Sequence, residues 1–244
     1  MASNPPGKCC TRGVAHEGVP KGEIREYAGV DTYFSYPPSK STEKVIIFLT
    51  DILGHFVNSK LTADDFAANG YFVIMPDILD KDQVSLEPSE AFNLGEWLGK
   101  TSHQLEFVQA VVDRTLAEVK KDFNPKKIGA VGYCYGGRYV IRLLDGRIDA
   151  GYTAHPSLIT IEEVAAVKGP LSISAAENDE IFTKELRQKT ETKLAETKAT
   201  YQINLFGGME HGFAVRGDMK DPKQKFAKEQ AFYQATAWFR EYLN

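Results

Sequence analysis

Lys127-Ile128-Gly129-Ala130-Val131-Gly132-Tyr133-Cys134-Tyr135-Gly136-Gly137 is the stretch on which the reading of this chain turns. Lys127–Tyr133 has the composition of a buried strand, and it runs without a linker into Gly132-Tyr133-Cys134-Tyr135-Gly136-Gly137. A helical pattern follows, with apolar positions at Tyr139, Val140, Leu143 and Leu144. A strand, a glycine-flanked nucleophile and a helix in that order form a nucleophile elbow, here G-x-C-x-G-G with cysteine in place of the more usual serine. The glycines have a steric reason, because side chains flanking so tight a turn would collide with the neighbouring strand and helix. The turn lifts Cys134 above the C-terminal edge of a sheet and toward a helix N-terminus, whose partial positive charge favours thiolate over thiol. The alternative at this point is a glycine-rich turn around a buried structural cysteine.

Outward from this segment, β-branched and aromatic runs recur at Lys44–Leu49, Tyr71–Met75, Ala150–Ala154, Pro170–Ala175 and Thr200–Phe206. Helical patterns lie between them. Leu105, Val108, Val112, Leu116 and Val119 form one stripe of Gln104–Lys121, and Ala227, Ala231, Ala235, Trp238 and Tyr242 form one near the C-terminus. Several strands are apolar nearly throughout, as in a parallel sheet covered by helices on both faces. The alternation predicts a single doubly wound α/β domain over 23–244, with a hairpin or two edge strands at Glu23–Tyr36 and an irregular N-terminal arm over 1–22. Asp80–Lys100 has no clear strand and reads as a mobile, lid-like connection.

Two later turns bear on the elbow. Ala176-Glu177-Asn178-Asp179-Glu180 follows one predicted strand, and Gly207-Gly208-Met209-Glu210-His211-Gly212-Phe213 follows another. A nucleophile, an acid and a histidine in that chain order, each just past a strand, is the order of a hydrolytic triad on such a sheet. Cys134 is then the nucleophile, His211 the general base, and Asp179 the group that fixes the imidazole tautomer. Glu177 and Glu180 are the rival acids.

Composition narrows the function classes. The 244 residues are 43% hydrophobic and 25% charged, ordinary globular values. Lys and Arg number 29 against 33 Asp and Glu, a net charge of −4. That balance offers no general attraction to nucleic acid or to an anionic membrane surface. Three cysteines, two of them adjacent, make no disulfide framework, and no run approaches the length of a membrane span or a signal core. The expectation is a cytoplasmic protein.

The chain resembles the dienelactone hydrolase family from about Glu23 to the C-terminus, on the cysteine elbow, the Asp179 turn and His211-Gly212-Phe213-Ala214. Gly7-Lys8-Cys9-Cys10 resembles the eukaryotic, largely fungal branch. The resemblance implies an α/β-hydrolase fold and hydrolysis of a lactone or small ester through a Cys–His–Asp triad, with neither metal nor organic cofactor. It implies an oxyanion hole from the backbone N–H groups of Tyr135 and Ile52. It places Asp51 where bacterial members carry a thiol-modulating glutamate, on a shorter side chain. A carboxylate-binding arginine, four residues past the histidine in bacterial members, falls here on Val215, with Arg216 next to it; Lys81 is the substitute for a second.

Arg216, Tyr133, His55 and Phe213 are accordingly expected to line a substrate pocket, and the molecule to act as a monomer or weak homodimer on a small lactone or ester. His155 is either a pocket wall or part of a structural turn, and Trp97 and Phe92 either cover the pocket or pack as satellite core. Cys9 and Cys10 with His16 lack a second cysteine pair at zinc spacing and read as exposed, redox-labile thiols. Two other functions compete with hydrolysis: a thiol-based redox sensor, since a low-pKa elbow cysteine is readily oxidised, and a catalytically silent binding protein. A sensor has no need of Asp179 and His211 at fixed positions.

Overall fold

Along Lys44–Leu49 the side chains divide by parity: Val45, Ile47 and Leu49 enter one hydrophobic core, Ile46 and Phe48 the other. That period of two on a strand buried on both faces requires cover above and below. The computed structural model describes residues 1–244 and supplies that cover. The strands are β1 (Glu23–Tyr27), β2 (Val30–Ser35), β3 (Lys44–Leu49), β4 (Phe72–Pro76), β5 (Lys127–Tyr133), β6 (Ala150–Ala154), β7 (Leu171–Asn178) and β8 (Tyr201–Glu210). They form one sheet in the order β1-β2-β4-β3-β5-β6-β7-β8. The first hairpin pairs antiparallel and joins β4 antiparallel; β4 through β8 are parallel. This is the α/β-hydrolase architecture read from the sequence.

The helices are α1 (Val57–Ala68), α2 (Leu94–Gly99), α3 (Leu105–Phe123), α4 (Gly137–Leu143), α5 (Ile161–Ala165), α6 (Lys184–Thr197), α7 (Phe213–Arg216) and α8 (Pro222–Tyr242). Buried residues of α3, α4, α5 and α6 pack in one core, and those of α1 and α8 in the other. The expected stripe of α3 is buried from Val108 to Val119, and α8 turns Ala227, Ala231, Ala235 and Trp238 inward. Pro222 at the first turn and the Asp221 side chain, which accepts from Lys223 and Gln224 N–H, fix where α8 begins. No helix is long and apolar enough to cross a membrane.

From β3 the chain passes to β4 on one side, then returns to β5 on the other. The crevice between the carboxyl ends of β3 and β5 is therefore the switch point of the sheet, where ligands gather in such folds.

The N-terminal arm is bound along the carboxyl edge of the sheet. Ala2 and Ser3 N–H donate to the Ile159 carbonyl, Asn4 N–H donates to Ile181, and Leu158 N–H donates back to Asn4. Farther on, Val14 N–H donates to the Arg216 carbonyl. Between these anchors a single 3-10 turn, Lys8–Thr11, crosses the crevice. Asp80–Lys100 differs from expectation. It contains α2 and is fastened by Asp82, whose backbone carbonyl accepts from Trp97 Nε1 and whose carboxylate meets Lys100 and His103.

Candidate active site

Cys134 follows β5 with φ of 48°, a left-handed conformation that a non-glycine residue adopts only when its surroundings impose it. Those surroundings are tight. A Cβ on Gly132 would lie 2.6 Å from the Gly136 carbonyl oxygen, and one on Gly136 would strike the backbone carbonyl of Leu49. Glycine at both positions lets the elbow nest against the end of β3. This close approach sets the turn carrying Tyr135 beside the Thr50–Leu53 turn carrying Ile52, so the two proposed oxyanion donors sit on adjoining segments, both buried.

β7 and β8 extend farther than the sequence suggested, so Asp179 and His211 are each the first residue past a strand. Glycines 207 and 208, read as loop, lie within β8. His211 Nδ1 stands 3.0 Å from both Asp179 carboxylate oxygens, and one of these oxygens also accepts from Ile181 and Phe182 N–H at 2.8 and 3.0 Å. Of the rival acids, Glu177 is exposed and accepts from Gly208 N–H, and Glu180 is exposed. With Nδ1 committed to Asp179, Nε2 is buried with no other partner. A His211 ring nitrogen, Cys134 Sγ and Cys10 Sγ lie within 4.8 Å of one another. The structure thus gathers the three residues that the sequence placed in separate turns.

Charge follows from these neighbours. Burial would hold Cys134 as a thiol, but a hydrogen bond from Cys10 and the positive charges of His211 and Arg216 outweigh it and bring the thiol well below its usual range. Burial likewise opposes the His211 imidazolium, yet the Cys134 and Asp179 charges raise it to about 10. Asp179 is penalised by burial, and the His211 charge and the backbone amides nonetheless hold it below the usual carboxylate value. All three shifts run toward the charged forms, a thiolate beside an imidazolium beside a carboxylate.

Cys10 was missed as a site residue. Far from being exposed, it is fully buried, with its sulfur 3.4 Å from that of Cys134. Its hydrogen bonds to Cys134 and Cys9, with burial added, push its pKa far up. Either sulfur can donate in this contact, and the opposite shifts of the two thiols favour Cys10 as the donor. Cys10, Cys134 and His211 are also the one set of donors close enough to share a metal ion; His16 is not among them, its Nε2 lying 2.8 Å from the Gly217 carbonyl. The adjacent cysteines were the sequence signal, but nothing local indicated what they would meet.

Asp51 and Arg216 correct a second expectation. They were read separately, one as a modulator of the thiol and the other as a ligand for a substrate carboxylate. The structure pairs them with each other, fully buried. Asp51 also accepts from Leu53 N–H, and Arg216 Nε donates to the Arg12 carbonyl at 3.0 Å. Burial raises Asp51 above the usual carboxylate value despite the guanidinium, whereas Arg216, also opposed by burial, is kept charged by Asp51 and the neighbouring sulfurs. The guanidinium is thus tied to Asp51 and to the arm, with Nη2 left without a partner.

Among the expected pocket residues, Tyr133 is core: its ring packs 5.3 Å from Phe48 and 6.4 Å from Tyr152. A strand residue next to the elbow must point opposite to its successor, which explains the miss. His55 is likewise a tie, with Nε2 2.9 Å from the Met75 carbonyl at the end of β4. Phe213 does line a cavity of about 230 Å³ with His211, Arg216, Arg12 and Gly13. Lys81 pairs with Asp31 at the surface. His155, whose ring sits 4.8 Å edge-to-face from that of His211, is fully buried with neither nitrogen partnered. Burial and the charges of His211 and Arg216 keep it neutral. Trp97 stacks on His103 and packs near Tyr135, and Phe92 lines a groove of about 700 Å³ between the arm and the Glu87–Gly95 segment.

Known proteins repeat this arrangement of elements. The dienelactone hydrolase family model matches residues 30–243. The hydrolase PyvD of Aspergillus violaceofuscus is 47% identical over all of this chain and 99% of its own, and the hydrolase TropI of Talaromyces stipitatus is also 47% identical, over 100% and 99%. The solved dienelactone hydrolase of Anabaena variabilis superposes with a TM-score of 0.65 at 13% identity, over 91% of this chain and 98% of that one, a likeness of fold.

Proposed function

The chain belongs to the dienelactone hydrolase family, and from that premise we propose that this lactone or ester hydrolase works through Cys134, His211 and Asp179 and a thioester intermediate. The observation that supports the reading is the buried His211, held by both Asp179 oxygens and with a ring nitrogen within 4.8 Å of Cys134 Sγ. A thiolate so placed attacks the substrate carbonyl directly. The backbone N–H groups of Tyr135 and Ile52 would receive the oxyanion, each donor typically worth about 3 kcal/mol to the transition state. His211 then gives its proton to the departing alkoxide or enolate, becomes neutral, and takes a proton from the water that cleaves the thioester. Asp179 keeps one tautomer in place through both steps.

Access runs past the arm. Cys134 is fully buried beneath the Lys8–Thr11 turn, and the groove between the arm and Glu87–Gly95 lies on the outer side of that turn. Substrate reaches the sulfur when the turn lifts between its anchors at Asn4 and Val14. Because Arg216 is neutralised by Asp51, the site favours neutral lactones and esters over substrates that need a free cation for a carboxylate.

A panel of lactones and aryl esters, with and without a carboxylate, tests the reading on the parent protein and on C134A and R216A. C134A is expected to lose at least about 10⁴-fold in turnover, as removal of a nucleophile does elsewhere, while neutral substrates outpace carboxylated ones in the parent. Parental rates in C134A would overturn the assignment of the nucleophile.

A further inference from the structure

Hydrolysis as derived above gives Cys10 no part in bond making or breaking. Cys10 Sγ touches the nucleophile at 3.4 Å, across 124 residues of sequence, and both are free thiols. A disulfide needs about 2.05 Å between sulfurs, so closure requires a small advance by one of the two. The elbow cannot supply it, locked as it is between β3 and α4. The arm can: Lys8–Thr11 is a single 3-10 turn between two anchored ends, and its backbone contact across the crevice is the Glu87 N–H donating to the Thr11 carbonyl.

We propose that Cys10 is a resolving thiol, which captures Cys134 as a Cys10–Cys134 disulfide after a hydroperoxide has oxidised the nucleophile. In the first step the Cys134 thiolate attacks the distal peroxide oxygen. The O–O bond breaks, a sulfenic acid forms, and the departing alkoxide or hydroxide takes the His211 proton. In the second, Cys10 sulfur attacks the sulfenic sulfur, the S–O bond breaks, and the Cys10 proton leaves with the hydroxide as water. Two electrons pass from the sulfurs to the peroxide, giving one disulfide, one alcohol or water, and one further water. A thiolate is the species that reacts with peroxide, and once Cys134 is a sulfenic acid the hydrogen bond and negative charge that hold Cys10 protonated are gone, so its proton can leave as the sulfur attacks. The product pins the arm over the nucleophile, so the hydrolase is switched off in a form that an external thiol restores, and Cys134 is spared irreversible oxidation. Cys9 is half-buried, and the Cys10 hydrogen bond brings it down to about 7. It is the rival partner that the test has to separate.

The reduced protein is titrated with hydrogen peroxide, mapped by non-reducing peptide mass spectrometry, and assayed on an aryl ester before and after dithiothreitol. The expected result is one Cys10–Cys134 cross-link, a loss of activity of at least about tenfold, and recovery on reduction. C10S is expected to lose activity to the same oxidant without recovery, its Cys134 carried on to sulfinic or sulfonic acid. C9S is expected to behave as the parent. Absence of the Cys10–Cys134 link in the parent, a link through Cys9 instead, or equal recovery in C10S would overturn the proposal. The map on the parent decides even if C10S fails to fold, and because it reads mass it stands apart from the fate of the hydrolytic mechanism.

Discussion

Burial opposes charge on both Cys134 and His211, while each shifts the other toward its charged form, and the pH dependence of the sulfur tests the ion pair proposed from this. Alkylation of Cys134 by iodoacetamide is expected to hold nearly constant from about pH 8 down to about pH 6, where an ordinary thiol would slow about tenfold per unit. In H211N the ordinary slope should return; the same slope in the parent would contradict the ion pair. Asp51 and Arg216 make a different prediction. Breaking a buried pair strands one charge, at a cost of about 3–5 kcal/mol. Urea denaturation should show D51A destabilised by about that amount, and D51A/R216M less so than D51A alone. Equal losses would mean the two residues are not coupled. Cys134, Asp179 and His211 were legible as a candidate cluster because each sits just past a strand, where local pattern suffices. Asp51–Arg216 and Cys10–Cys134 were not, since they join residues 165 and 124 apart and no periodicity marks either end.

At the scale of elements, strands and helices were read from periods of 2 and 3.6, which depend on which face is buried and so survive ignorance of the partner. Boundaries fared worse. β7 and β8 run past their predicted ends because they pair with each other to Asn178 and Glu210, a tertiary contact, across an irregularity after Ala176. The arm was the largest omission. Its residues hold no periodic pattern, yet it lies across the switch point, bonded to the segment before α5, to the Asp179–Phe182 turn and to α7. Deleting residues 2–12 should speed alkylation of Cys134 at least about tenfold by uncovering a thiolate that burial had screened. The same deletion should lower Tm, because the Ile159 and Ile181 carbonyls lose their donors. Slower alkylation with an intact fold would show that the arm activates the sulfur rather than covering it.

For the whole molecule, the buried charges define a window of stability. Asp179 is depressed, so its contribution is present above the ordinary carboxylate pKa and is lost as pH falls through the folded value. His211 is raised, so its contribution is complete below the ordinary histidine value of about 6.5 and is lost as pH rises through about 10. Urea midpoints should therefore fall on both sides of neutrality, with the alkaline loss absent in H211N; an unchanged alkaline limb there would assign it to other groups.

The sheet brings one sulfur, one imidazole and one carboxylate from three strand ends to a single crevice. Rapid-quench mass spectrometry of H211N with an activated aryl ester tests what they do, since a variant without the base should form the acyl-enzyme faster than it hydrolyses it. The account predicts an acyl mass on the peptide containing Cys134, labile to hydroxylamine as a thioester is. Turnover with the acyl group on another residue, or with no covalent species while C134A retains the parental rate, would contradict it.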